Sequence, residues 1–307
     1  MMASREELEH AYSPSRWSHR MGSDSVINAH IKTLTEGSNL ARECVDCEVG
    51  FSFGLSEKEK FDVFGAKTLP GDAPIFVYIH GGYWSALGRE MSSFMAPVLC
   101  KAGAVVVSVG YDLAPQANMD EIVSQVKKAV SFVLTMATRR GSSGVYLCGH
   151  SAGAHLAALM LSQNWLEETM VSPGMIKGAV LVCGVYDLRP LVNTYVNDPL
   201  KMTVEDAVRN SPVTHLDKIA GFSEKRRFIV AYGDHDPPEF QRQSTEFNIA
   251  LSSRGIQSTL MVIPDTDHFN VIENLQLEDY SLSQEIVKLM NLNIGPILDQ
   301  MQSTNIS

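Results

Sequence analysis

Val145-Tyr-Leu-Cys-Gly-His-Ser-Ala-Gly-Ala-His-Leu-Ala-Ala-Leu-Met160 reads as a short apolar strand, a sharp turn carrying a serine, and a helix. The turn is Gly149-His150-Ser151-Ala152-Gly153, a G-x-S-x-G pattern of the kind that exposes a serine hydroxyl in a strained strand-to-helix bend, a nucleophile elbow. Each glycine stands two positions from Ser151, where a Cβ would collide with the neighbouring strand or helix. The pentapeptide alone is a weak signal, and its surroundings strengthen it. Gly141-Ser-Ser-Gly144 is a turn, Val145–Cys148 has the length of a buried parallel strand, and Leu156, Leu159 and Met160 follow at helical spacing. Ser151 is therefore the candidate nucleophile, against the plainer reading of a serine in an ordinary strand-to-helix loop.

Outward from this stretch the chain alternates strands and helices. Upstream, Pro74-Ile-Phe-Val-Tyr-Ile79 is a continuous apolar strand that runs into His80-Gly-Gly-Tyr-Trp84. A helix at 92–102, a strand at 104–109 and a helix at 120–138 lead to the elbow. Downstream, 179–183, 228–232 and 258–263 read as buried strands, with helices at 239–252 and 271–292. Such alternation predicts an α/β fold, a mostly parallel twisted sheet with helices on both faces. Two half-buried strands at 47–53 and 60–64 would add an antiparallel edge. Residues 1–40 form a polar, partly helical segment, with helices expected at 6–12 and 25–36 and no evident role. From about 187 to 220 the rhythm breaks, which predicts a helical insertion over the site. With no internal repeat or low-complexity linker, 1–307 is expected to form a single domain.

Composition narrows the class. The 307 residues are 45% hydrophobic and 20% charged, as in a globular protein with a sizeable core. A net charge of −10 argues against nucleic acid or an anionic membrane as partner, and Lys225-Arg226-Arg227 is too short a basic cluster to reverse that. The first ten residues lack the apolar core of a secretory signal, and no later run approaches the roughly 18 apolar residues of a membrane span. The protein is expected in the cytoplasm, with the nucleus as a second compartment. Five cysteines fit a reducing environment. Cys44-Val-Asp-Cys47 lacks the second pair that a zinc site needs. Oligomeric state is left open, a homodimer included.

Ligands of an open parallel sheet sit beyond the carboxyl ends of its strands, so functional residues should follow strands. His80-Gly81-Gly82, Ser151, Asp234-His235-Asp236 and Asp265-Thr-Asp-His268 all do. Acyl hydrolysis needs a nucleophile, a base, a group that orients the base, and donors for the oxyanion. Ser151 and His268 fit the first two. Backbone N–H groups of Gly81, Gly82 and Ala152 fit the last, because a backbone without Cβ can approach substrate closely. For the orienting carboxylate, Asp236 is preferred because Pro237-Pro238 would fix its direction, and Asp234 is the alternative. His150 and His155 read as packing or capping residues. Asp234, His235, Asp236, Asp267 and His268 match no metal-binding spacing such as H-E-x-x-H.

His80-Gly-Gly-Tyr-Trp84 and the elbow together resemble the hormone-sensitive-lipase-like branch of α/β-hydrolases, whose triad runs Ser, Asp, His along the chain. More narrowly, the chain is similar to the kynurenine formamidase (arylformamidase) family. That likeness rests on Cys148-Gly-His-Ser-Ala-Gly-Ala-His-Leu-Ala-Ala158, Tyr12-Ser-Pro-Ser-Arg-Trp17, Asp236-Pro-Pro-Glu-Phe-Gln-Arg-Gln-Ser244 and Asp267-His-Phe-Asn-Val-Ile-Glu-Asn274. The resemblance implies hydrolysis of a small molecule, N-formyl-L-kynurenine, to L-kynurenine and formate by Ser151, Asp236 and His268. It requires no metal or organic cofactor. Pro237 stands where close relatives are expected to carry Ser, a departure that leaves the carboxylate intact. Tyr83, Trp84 and Phe269 adjoin these positions and are candidates to hold the aromatic substrate. The rival readings are a broad carboxylesterase of the same fold and a catalytically silent binding module.

Overall fold

The computed structural model describes residues 4–223 and 225–293, so positions 1–3, 224 and 294–307 of the expected unit lie outside the described residues. One sheet organises the chain: β1 (Cys47–Ser52), β2 (Lys60–Phe64), β3 (Ile75–Ile79), β4 (Val105–Val109), β5 (Val145–His150), β6 (Ile176–Val182), β7 (Arg227–Gly233) and β8 (Gln257–Ile263). Their spatial order is β1-β2-β4-β3-β5-β6-β7-β8. β2 pairs antiparallel with β1 and β4, and every other pairing is parallel. β3, β4 and β5 are buried at every position, which explains why their sequences are continuous apolar runs without alternation.

The strand order places the site. From β3 the chain crosses to β4 on one side, then returns to β5 on the other, so the loops leaving β3 and β5 diverge and open a crevice at the carboxyl edge. His80-Gly81-Gly82 leaves β3 there, and Ser151 leaves β5.

Several elements differ from their sequence reading. The helix expected at 92–102 is confined to Ala96–Ala102, because Pro97 in its first turn cannot donate into an earlier turn and so marks a helix start. The helix expected at 271–292 is broken into Asn270–Glu273, a 3₁₀ turn at Asn274–Gln276, and Ser281–Leu289; Tyr280 Oη donates to Val271 O at 3.0 Å across the break. β8 is the sheet's outer strand and is buried only at Ile263, so it is not the fully buried strand its composition indicates. Arg226, part of the short basic run, is itself buried and donates to Leu161 O at 3.1 Å. No helix among the described residues is long and apolar enough to cross a membrane.

The insertion contributes short helical pieces, from the 3₁₀ turn Arg189–Asn193 to the helix Leu216–Gly221. The N-terminal segment is more ordered than its composition implies. Its second helix runs over Ser23–Cys44, longer than the expected 25–36, and buries Val26, His30, Leu34 and Ala41 along one face. Both segments reach the crevice.

Candidate active site

The elbow forms as its glycines require. A Cβ on Gly149 would lie 2.1 Å from Gly153 O, and one on Gly153 would lie 2.0 Å from Ile79 O; no backbone adjustment short of opening the bend relieves such contacts. Between them Ser151 has φ of +55°, a region that L-residues rarely adopt and that costs about 1–3 kcal/mol. The neighbouring strand holds it there, since Ser151 N–H donates to Val182 O at 2.8 Å.

His268 and Asp236 meet, although 32 positions separate them: His268 Nδ1–H donates to Asp236 Oδ1 at 2.7 Å, with both residues buried. Because the carboxylate claims the Nδ1 proton, Nε2 is left as the basic nitrogen. His150 Nε2–H donates to His268 O at 2.8 Å and so fixes the loop that carries the base. Ser151 and His268 line one cavity of about 400 Å³; among the described residues no Ser151 Oγ to His268 Nε2 hydrogen bond is formed, and such contacts commonly tighten only with substrate.

The other aspartates are placed elsewhere. Asp234 is partly exposed and accepts Thr266 N–H at 3.1 Å. Asp267 accepts the N–H groups of Phe269 and Asn270, both at 2.9 Å, and pairs with Arg20 through Nε at 2.9 Å and Nη2 at 3.1 Å. Burial opposes ionisation of Asp267, but Arg20, Ser18 and the two N–H groups outweigh it and hold the carboxyl well below its ordinary range. The residues weighed above as a metal cluster are thus divided. Asp234 and His235 instead gather with Asp265 at an exposed corner, while His150, Cys183 and His268 bring ligand atoms within 4.8 Å of one another in the interior. In that interior group His268 Nδ1 is engaged by Asp236, His150 Nε2 by a carbonyl, and burial raises the Cys183 thiol well above its ordinary value.

On the β3 side, the N–H groups of Gly81, Gly82 and Ala152 donate to no backbone carbonyl among the described residues, which leaves them free for an oxyanion. A Cβ on Gly81 would sit 2.8 Å from His150 O, and Gly82 has φ of +97° with Ala86 O 2.3 Å from its would-be Cβ. The loop is clamped from below: Tyr111 Oη donates to His80 O at 2.8 Å, and its ring stacks on His80 at 4.2 Å. Tyr83 and Phe269 line the cavity. Trp84 does not, contrary to its expected role; it is fully buried, edge-on to His155 at 5.0 Å. Consecutive residues of the loop point opposite ways, so only one ring reaches the cavity.

Sequence reading missed the N-terminal contribution. Ile27, His30 and Ile31 of the long helix line the cavity, with Tyr195 and Pro199 from the insertion. Tyr12 O accepts Tyr83 Oη–H at 2.7 Å, Tyr12 Oη donates to Glu239 Oε2 at 2.9 Å, and Gln243 Nε2 donates to Tyr12 Oη at 2.8 Å. The Tyr12 and Asp236–Ser244 stretches that carried the resemblance therefore bind each other. The 3–4 spacing of Ile27, His30 and Ile31 was the available signal, but nothing local indicated what that face would meet.

His80, His150 and His155 are buried. Burial lowers His80 and His155 to about 4, and burial aided by the nearby His268 and His30 holds His150 well below its ordinary value. For His80 and His155 the unfolded chain binds the proton near pH 6.5 and the folded chain only near 4, so the stability these two groups contribute is complete above pH 6.5 and is lost as pH falls through that window, and His150 acts in the same direction. Between pH 7 and pH 5 the loss is on the order of 2 kcal/mol for each of His80 and His155. Urea unfolding at both pH values checks this, and His155→Gln, away from the reacting atoms, is expected to flatten the slope. An unchanged slope would exclude His155 as a contributor.

Residues 76–271 match the family described as alpha/beta hydrolase fold. The chain is 48% identical over 287 residues to a kynurenine formamidase of Salmo salar, covering 93% of this chain and 96% of that one. It is 46% identical over 287 residues to a kynurenine formamidase of Danio rerio, with 94% and 97% covered. The solved structure of a candidate thioesterase from Silicibacter sp. superposes with a TM-score of 0.72 at 28% identity, covering 93% of this chain and 99% of that one.

Proposed function

The chain belongs to the kynurenine formamidase family of the α/β-hydrolase fold, and from that premise we propose that its Ser151, His268 and Asp236 hydrolyse N-formyl-L-kynurenine to L-kynurenine and formate. The observation that carries the reading is the buried 2.7 Å bond from His268 to Asp236, in one cavity with a serine held at a strained elbow. His268 Nε2 takes the hydroxyl proton as Ser151 Oγ attacks the formyl carbon. The oxyanion of the tetrahedral adduct lies against the N–H groups of Gly81, Gly82 and Ala152. Collapse breaks the C–N bond, and the imidazolium protonates the leaving aryl amine. Water, deprotonated by the same imidazole, then attacks the formyl-serine and releases formate. Asp236 keeps the ring in the Nδ1–H tautomer throughout.

All five cysteines are free thiols, which fits work in a reducing compartment such as the cytoplasm.

Formyl selectivity has a structural basis. Tyr83 follows the oxyanion glycines at φ of +46°, and its hydroxyl is tied to Tyr12 O, so its ring cannot swing out of the cavity freely. A formyl group presents only hydrogen on the side where an acetyl or butyryl chain would meet that loop. For one aryl amine, kcat/KM is expected to fall from formyl to acetyl to butyryl by more than the roughly 10- to 200-fold per methylene of a merely apolar pocket. The ratios must be corrected by the uncatalysed rates of the same series. Corrected ratios near one, or a preference for longer chains, would identify an open esterase pocket instead.

A further inference from the structure

The cavity lining contains no Lys, Arg, Asp or Glu among the described residues, so a zwitterionic amino-acid head has only imidazoles to meet as ionisable partners of opposite sign. Three imidazoles line it. His268 serves Ser151, and His150 is held uncharged by burial with its Nε2 committed to a carbonyl. His30 remains.

His30 is built as the reacting histidine is built. Its Nδ1–H donates to Glu273 Oε1 at 2.7 Å, with His30 4% and Glu273 5% exposed, while the ring faces the cavity 5.1 Å from that of Phe269. Glu273 also accepts from Arg20 Nη1 at 3.3 Å, and Arg20 is shared with Asp267. One guanidinium faces two carboxylates, so the cluster is one positive charge short and favours a donor on the His30 ring. Charges in so dry a setting are paired or costly. With Nδ1 engaged by Glu273, Nε2 is the ring nitrogen that His30 has left for the cavity. From His268 the rings step to His150 at 4.8 Å and on to His30 at 6.2 Å. In the substrate the carboxylate stands a few bonds from the amide nitrogen, on the order of 6 Å away.

We propose that His30, oriented by Glu273, binds the α-carboxylate of the substrate and thereby selects formamides that carry an amino-acid head. This rests on the formamidase reading. It assigns a substrate contact to the N-terminal helix, and Arg20 and Asp267 link that contact to the loop bearing His268.

The test compares three formamides: N-formylkynurenine, N-formylkynurenamine, which lacks only the carboxylate, and 2′-formamidoacetophenone, which lacks the whole head. In the wild type, kcat/KM is expected to be about 10- to 100-fold higher for the first than for the second, the range of a hydrogen bond between charged groups. His30→Asn places an amide where Nδ1 stood, so it keeps a donor for Glu273 and removes the donor facing the cavity. It is expected to reduce that ratio to near one, chiefly through KM. His30→Gln, with an uncharged donor near the Nε2 position, is expected to give an intermediate ratio, and it decides the matter if the Asn variant unfolds. A wild type without carboxylate preference, a variant that keeps the preference, or a loss that follows the ammonium instead would overturn the proposal. A wild type that turns over none of the three would instead overturn the formamidase reading itself.

Discussion

Ser151→Ala is expected to leave a folded protein whose kcat is lower by about four orders of magnitude or more, because the remaining machinery offers only binding and oxyanion stabilisation. Alanine removes one oxygen from a position buried to 3% exposure and changes no backbone contact, so the elbow and its bond to Val182 O stay in place. The φ of +55° is as unfavourable for alanine as for serine, so little relief of strain is expected either. Single-turnover kinetics on N-formylkynurenine, with circular dichroism and thermal unfolding on the same samples, would check both halves. Retention of more than about a tenth of wild-type kcat, a loss far smaller than removal of a nucleophile causes, would show that Ser151 does not form the acyl intermediate.

The second large effect separates two carboxylates that lie two positions apart. Asp236→Asn keeps the volume, but its amide group can donate to Nδ1 and favour the tautomer in which Nε2 carries the proton. That tautomer cannot accept the Ser151 proton, and the expected loss is on the order of 10⁴ in kcat. Asp234→Asn removes a charge that touches only Thr266 N–H and lies near His235, on a partly exposed side chain. Its oxygen can still accept that N–H, so activity within about threefold of wild type and a stability change within about 0.5 kcal/mol are expected. Measuring kcat for both variants under saturating substrate ranks them. If Asp234→Asn were the more damaging, the orienting role would move to it, and the 2.7 Å bond from His268 to Asp236 would need another explanation.

His268 and Asp236 also show how the architecture handles charge. Asp236 is fully buried in its side chain, and beyond the His268 bond its carboxylate has only the buried, weakly donating Cys183 thiol beside it. An under-satisfied buried carboxylate is costly in the resting enzyme, and the cost falls when His268 becomes an imidazolium beside it. On the proposed mechanism the ion pair is then best formed while the tetrahedral adduct exists, which is where stabilisation accelerates a reaction.

The sequence by itself determined the sheet, the elbow and the order of the residues proposed to react, because each is encoded within a few positions. The continuous apolar runs of β3, β4 and β5 form strands covered on both faces, and Gly149 and Gly153 permit a bend that any side chain would block. Residues that follow parallel strands must emerge at one edge, so Ser151, Asp236 and His268 were legible before their distances were. What local pattern could not reach, tertiary structure decided. Asp234 and Asp236 follow the same strand, and burial and the bond to His268 distinguish them. Tyr83 and Trp84 are equally aromatic neighbours, and the turn sends one into the cavity and the other into the core. The helix Ser23–Cys44 announces an apolar face without its partner, and His30 meets Glu273 across 243 positions. Periodicity reports which side of an element avoids water, whereas the identity of what covers that side is fixed only when distant segments pack together.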